Sequence, residues 1–162
     1  GVFERAEGVL DVTSGYAGGT AADADYHKVS DGKTGHAESI RVTYDPRRIS
    51  YGKLLQIFFT THDPTTRDRQ GPDWGHQYRS AIFVESPEQR AVAEAYLAQL
   101  ARSKAFARPV VTSVEPLTAF YNAEAYHQDY IQNHPNDGYV RTWFPAKEKK
   151  LRDHLPQLLK KQ

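Results

Sequence analysis

The chain has 162 residues, enough to bury one substantial core. Its charge is balanced, 21 Lys and Arg against 20 Asp and Glu, which argues against nucleic acid or an anionic surface as the main partner. Cysteine and methionine are both absent, so disulfides, thiolate metal sites and a cysteine nucleophile are excluded within these residues.

No apolar run reaches bilayer length and no signal peptide is visible. The expectation is therefore no membrane partner and a cytoplasmic location, with the periplasm left open. With Gly1 in first place and no methionine, translation is expected to begin upstream. Repeats, low-complexity tracts and linkers are lacking, so residues 1–162 read as a single domain and a monomer.

In chain order, residues 2–8 read as the tail of a helix closed by Gly8. Residues 9–19 read as a strand running into a glycine turn, followed by a polar loop to Gly35 that contains Tyr26. Residues 37–44 alternate as a strand should. Asp45-Pro46 ends it, and Ser50 caps a helix with Leu54, Leu55, Phe58 and Phe59 on one face. A long Pro-, Gly- and Asp-rich loop reaches Gln77. Residues 78–85 then read as a strand begun by Tyr78. Ser86-Pro87-Glu88-Gln89 starts a helix through Val92, Ala95, Tyr96 and Leu100. Residues 110–116 read as a strand and 122–134 as a helix ended by Pro135. A basic, solvated helix is predicted over roughly 147–160. Strands alternating with helices predict an α/β (α+β) fold, a mixed sheet with helices packed on it.

In the strand 37–44, Ala37, Ser39, Arg41 and Thr43 point one way; Glu38, Ile40, Val42 and Tyr44 point the other. The second face is apolar except for Glu38. A carboxylate on a buried face is costly when charged, and burial raises its pKa. A carboxylic acid kept neutral can donate a hydrogen bond or a proton, as a general acid must. A wet strand end, or a pairing with Arg41 or Arg79, accounts for Glu38 as well. Tyr26 and Tyr78 are donors with apolar bodies; each alone reads as packing, and only their combination with a protonated Glu38 makes a donor cluster for a polarised oxygen. Asp73 lies in the loop QGPDWGHQY, either as a turn residue or as a carboxylate orienting a site residue or substrate. Trp74 beside it is a lid or an exposed loop aromatic.

His36-Ala37-Glu38 fits half of a zinc deaminase motif, whose other half needs cysteines that are absent. His62-Asp63 and His127/Asp129 have no third ligand nearby, so no metal is expected. There is no G-x-S-x-G and no phosphate-binding glycine loop.

GYAGG (15–19), TGHAE (34–38), YDP (44–46), ISY (49–51), HDPTT (62–66), RQGPDWGHQYRSAIF (69–83) and FYNAEAYHQDY (120–130) closely resemble the peptide methionine sulfoxide reductase A family, in order and as far as about Pro135. The resemblance implies a two-layer α/β sandwich. It implies reduction of the S epimer of methionine sulfoxide, free or in proteins, as repair after oxidation. By matched position it implies that Glu38 is the acid, that Tyr26 and Tyr78 hold the sulfoxide oxygen, and that Asp73 is a site carboxylate. Trp74 stands beside Asp73 as a candidate substrate contact. It implies no bound cofactor and an external thiol reductant such as thioredoxin or glutaredoxin, which would clear a sulfenic acid. The family's nucleophilic cysteine belongs to a G-C-F-W motif expected just before Gly1, and no resolving cysteine follows. These residues alone are therefore expected to be inactive. The competing readings are a non-catalytic module that binds oxidised methionine, and a hydrolase or lyase using Glu38 with His36 or His127.

Overall fold

Capping side chains, prolines and positive-φ residues set the boundaries of the elements. The computed structural model describes residues 1–161. Its strands are β1 (Val9–Ala17), β2 (Ala37–Tyr44), β3 (Arg69–Gln70), β4 (Asp73–Trp74), β5 (Ala81–Val84), β6 (Ser113–Pro116) and β7 (Phe120–Asn122). Its α-helices are α1 (Tyr26–Ser30), α2 (Tyr51–Thr61), α3 (Pro87–Ser103), α4 (Tyr130–Asn133) and α5 (Gly138–His154). The class is mixed α+β, as expected, with the strands divided over three sheets: β2-β1-β7, β3-β4 and β5-β6. β1 runs antiparallel to β7 and β5 parallel to β6.

The caps act as the sequence predicts. The Ser50 hydroxyl accepts from Lys53 N–H and the Ser86 hydroxyl from Gln89 N–H, each at 3.1 Å. Such a cap contributes about 1 kcal/mol. Gly8 and Gly18 carry φ of 92° and 99°, a backbone region costly to any residue with a Cβ.

Several boundaries differ from the expectation. The polar loop before β2 holds α1, because the Asp25 side chain accepts from the N–H groups of His27 and Lys28. Tyr26 is thus a helical residue. Tyr78 does not begin a strand; it closes a 3-10 turn, His76–Tyr78, and β5 begins at Ala81. On α3 the buried position is Ala93, while Val92 stands exposed. The helix expected over 122–134 is a strand, a 3-10 turn and α4, interrupted where Asp129 takes φ 53°. The last helix starts earlier than predicted, because Asp137 caps Tyr139 and Val140. It contains Pro145.

By its contacts the chain gathers into two compact units. The first comprises Gly1–Ser14, Ile40–His62 and the chain from Glu124 onward. Its core is Ala6, Val9, Ile49, Leu54, Ile57, Leu151 and Leu155, with Val42 and Tyr44 of β2 packed against it. Burying each large aliphatic side chain there contributes about 1.5–3 kcal/mol. The second unit comprises Gly15–Ser39 and Asp63–Ala123. It contains β5 and β6 with α3 against them, the hairpin β3-β4, α1 and β7. Tyr26, Glu38, Asp73, Trp74 and Tyr78 all belong to it.

Candidate active site

The first residues of β2 bring Glu38 to the site. The alternation expected to bury one face holds only toward the end of the strand. Val42 and Tyr44 are half-buried, but Ile40 is 45% exposed. Glu38 itself keeps accessible surface, whereas its neighbour Ala37 on the other face is buried. Neighbouring atoms nevertheless crowd the Glu38 carboxyl. Desolvation is the largest influence on it and raises its pKa; the nearby Asp73 charge raises it further, and a hydrogen bond from Tyr78 partly offsets both. Surface exposure and desolvation together describe a carboxyl enclosed on its protein side and open on the other.

Tyr78 answers to the same environment. Burial raises its phenol pKa well above the usual value, and the Glu38 and Asp73 charges, Tyr26 and the hydrogen bond to Glu38 all push the same way. Its hydroxyl therefore stays protonated and donates to the Glu38 carboxylate. The structure brings Glu38, Asp73 and Tyr78 within electrostatic reach of one another, and Tyr26 within reach of Tyr78, although the chain spreads them from residue 26 to residue 78.

Glycines and amides place these groups. Gly75 takes φ 134°, and Tyr78 N–H donates to its carbonyl at 3.0 Å. The buried Gln77 donates through Nε2 to the Ser30 carbonyl at 3.2 Å, so the turn bearing Tyr78 is tied to the end of the helix bearing Tyr26. Asp73 pairs with Gln70 across the β3-β4 hairpin. The Gln70 amide accepts from Asp63 N–H and donates to the Asp63 carbonyl, both at 3.0 Å. Trp74 is 69% exposed, with the Arg69 guanidinium over its ring at 4.7 Å.

Two residues that the sequence offers in other roles, His36 and Arg79, contribute here as supports. His36 is fully buried. Its Nδ1 accepts from Gly19 N–H at 3.2 Å and its Nε2 lies 2.8 Å from the Thr20 carbonyl. One nitrogen accepts and the other donates, which makes the ring a neutral strut between the glycine turn after β1 and the start of β2. Gly19 is required there, since a Cβ would fall 2.6 Å from the ring. Arg79 pairs with Glu115 on β6, not with Glu38. Local pattern carries no signal for either, because each partner is distant in sequence. Among the described residues no cluster of three metal-ligating side chains occurs, and no helix is long and apolar enough to cross a membrane.

The family model described as peptide methionine sulfoxide reductase matches residues 1–159. The chain belongs to the peptide methionine sulfoxide reductase family. It is 51% identical to peptide methionine sulfoxide reductase MsrA 2 of Synechocystis, over 99% of this chain and 76% of that protein. It is 48% identical to MsrA of Deinococcus radiodurans, over 98% and 77%. Among solved structures it is similar to Mxr1 of Saccharomyces cerevisiae in reduced form, with TM-score 0.69 and 34% identity over 80% of this chain and 74% of that one. It is also similar to methionine sulfoxide reductase A of Corynebacterium diphtheriae, with TM-score 0.69 and 33% identity over 83% and 68%. Its function is the thiol-dependent reduction of methionine sulfoxide to methionine, a repair of oxidative damage. Residues 1–162 contain no cysteine and no methionine.

Proposed function

We propose that the chain reduces the S epimer of methionine sulfoxide, free or in proteins, with protonated Glu38 as the acid and Tyr26 and Tyr78 as donors to the sulfoxide oxygen. The observation that carries this is the desolvated Glu38 carboxyl receiving the Tyr78 hydroxyl, with Asp73 in reach of both and Tyr26 in reach of Tyr78. A thiolate attacks the sulfoxide sulfur. Negative charge grows on the oxygen, and donors stabilise it where water is scarce, the Tyr78 hydroxyl turning to it from Glu38 once that carboxyl is protonated. Glu38 delivers the proton to that oxygen. The sulfur–sulfur bond formed in the attack and the S–O bond then break as the hydroxyl passes to the attacking sulfur, so the products are methionine and a sulfenic acid. A second thiol then forms a disulfide and releases water. That thiol comes from a reductant of the thioredoxin or glutaredoxin kind.

Asp73 supports the raised pKa of Glu38 through its charge, and this is the role we assign to it. Trp74, held on one face by Arg69, offers its other face to the residues flanking an oxidised methionine.

The experiment supplies the full-length gene product with dithiothreitol and racemic N-acetylmethionine sulfoxide, and follows both sulfur epimers by chiral chromatography. Loss of the S epimer alone is expected. Loss of neither from a folded protein would leave binding without turnover as the function, and loss of the R epimer would overturn the epimer assignment.

A further inference from the structure

Arg79 follows Tyr78 directly, and its side chain is nearly buried. Its guanidinium makes a two-pronged contact with Glu115: Nε donates to Oε2 and Nη2 to Oε1, each at 3.1 Å. Nη2 also donates to the Gly35 carbonyl at 3.0 Å, and Nη1 to the His76 carbonyl at 3.3 Å. Three segments therefore meet on one planar group. His76 opens the turn that Tyr78 closes. Gly35 stands three residues before Glu38. Glu115 lies on β6, where the Ser113 hydroxyl donates to its Oε2 at 2.7 Å. The backbone makes room for the fork: at Gly18, with φ 99°, a Cβ would fall 2.7 Å from Nη2 and 3.0 Å from the Gly35 carbonyl.

We propose that Arg79 is a positioning residue for the reductase: anchored by Glu115, it clamps the chain entering β2 to the turn bearing Tyr78, and so holds the Glu38 carboxyl against the Tyr78 hydroxyl. The clamp deepens the reading of Glu38 as the acid and rests on it. Its geometry suits arginine alone. A lysine keeps the charge but is a single point donor that cannot serve Glu115, Gly35 and His76 together. Without the fork, the head of β2 and the 76–78 turn lose their shared anchor. Water then reaches the Glu38 carboxyl; the lost desolvation, the largest influence on it, outweighs the loss of the pKa-lowering Tyr78 bond, so its pKa falls.

The test follows the Glu38 carboxyl carbon by NMR across pH in glutamate-labelled protein, assigned with Glu38→Gln. Arg79→Lys conserves charge, so any change in the midpoint is geometric. The expected result is a midpoint lowered by about one pH unit, with affinity for N-acetylmethionine (S)-sulfoxide methylamide about tenfold weaker. A folded Arg79→Lys protein with an unchanged midpoint would overturn the proposal. Should that variant fail to fold, Glu115→Asp decides, because it keeps the carboxylate charge and draws it back from the fork by one methylene. A downward shift of the midpoint supports the clamp; none refutes it. If the wild-type protein binds neither epimer, the sulfoxide reading fails, while the midpoint still judges Arg79.

Discussion

The Tyr78 hydroxyl donates to the Glu38 carboxylate, and this bond opposes the two other influences on that acid. Burial and the Asp73 charge raise the Glu38 pKa; the phenol lowers it. Variants on either side of Glu38 should therefore move its titration in opposite directions. Asp73→Asn removes a neighbouring negative charge and should lower the midpoint. Tyr78→Phe removes the donor and should raise it. Carboxyl-carbon NMR across pH reads both; shifts of the same sign would show that the balance has been misassigned.

The same acid links pH to stability. Its folded pKa lies above the ordinary value of 4.5, so the folded state holds the proton more tightly than the unfolded chain. The stabilising effect of that proton is complete below about pH 4.5 and is lost as pH rises through the folded pKa. Glu38→Gln abolishes this dependence. Calorimetry should show a Tm gain for Glu38→Gln over wild type at pH 7 and a smaller one at pH 4. A gain independent of pH would contradict the raised pKa.

Chemistry should respond unequally to the three donors. In the full-length protein under single-turnover conditions, Glu38→Gln should slow sulfoxide reduction by about 10²–10⁴, the span typical of a lost general acid. Tyr26→Phe or Tyr78→Phe alone should cost less, because the other phenol still donates. Rapid-quench analysis of methionine formation decides. A double Tyr26→Phe, Tyr78→Phe protein with the wild-type rate would remove the phenols from the mechanism.

In the first unit, Ile57 is fully buried among Val9, Leu54 and Leu151. Ile57→Ala should cost about 2–5 kcal/mol through lost burial and a residual cavity. Urea unfolding should show a lower midpoint with little change in slope.

Gly19→Ala should disturb the His36 strut, since the new methyl falls 2.6 Å from the imidazole. The proton on His36 Nε2, bonded to the Thr20 carbonyl, should exchange faster by NMR. An unchanged signal would mean that the turn yields without moving the ring.

Sequence by itself determined the caps at Ser50 and Ser86, the span of β2 and the family, because these depend on side chains a few residues apart or on long motifs in order. It also singled out Glu38, by strand alternation, and Tyr26, Tyr78 and Asp73, by donor chemistry and loop position, while the matched motifs supplied their roles. The strand pattern suggested that Glu38 faces a core. Only the tertiary structure decided that Val42 and Tyr44 pack inward while Ile40 and Glu38 stay accessible, because a strand's period says which residues share a face and not what lies opposite. By alternation Tyr78 starts a strand; the 75–78 turn, built on a positive-φ glycine, gives it another direction. The partners of Arg79 and His36 were settled in the same way. Glu115, Gly35 and Thr20 are brought to them by sheet pairing and by glycines too small to obstruct, and burial and mutual charge act only after the chain has closed.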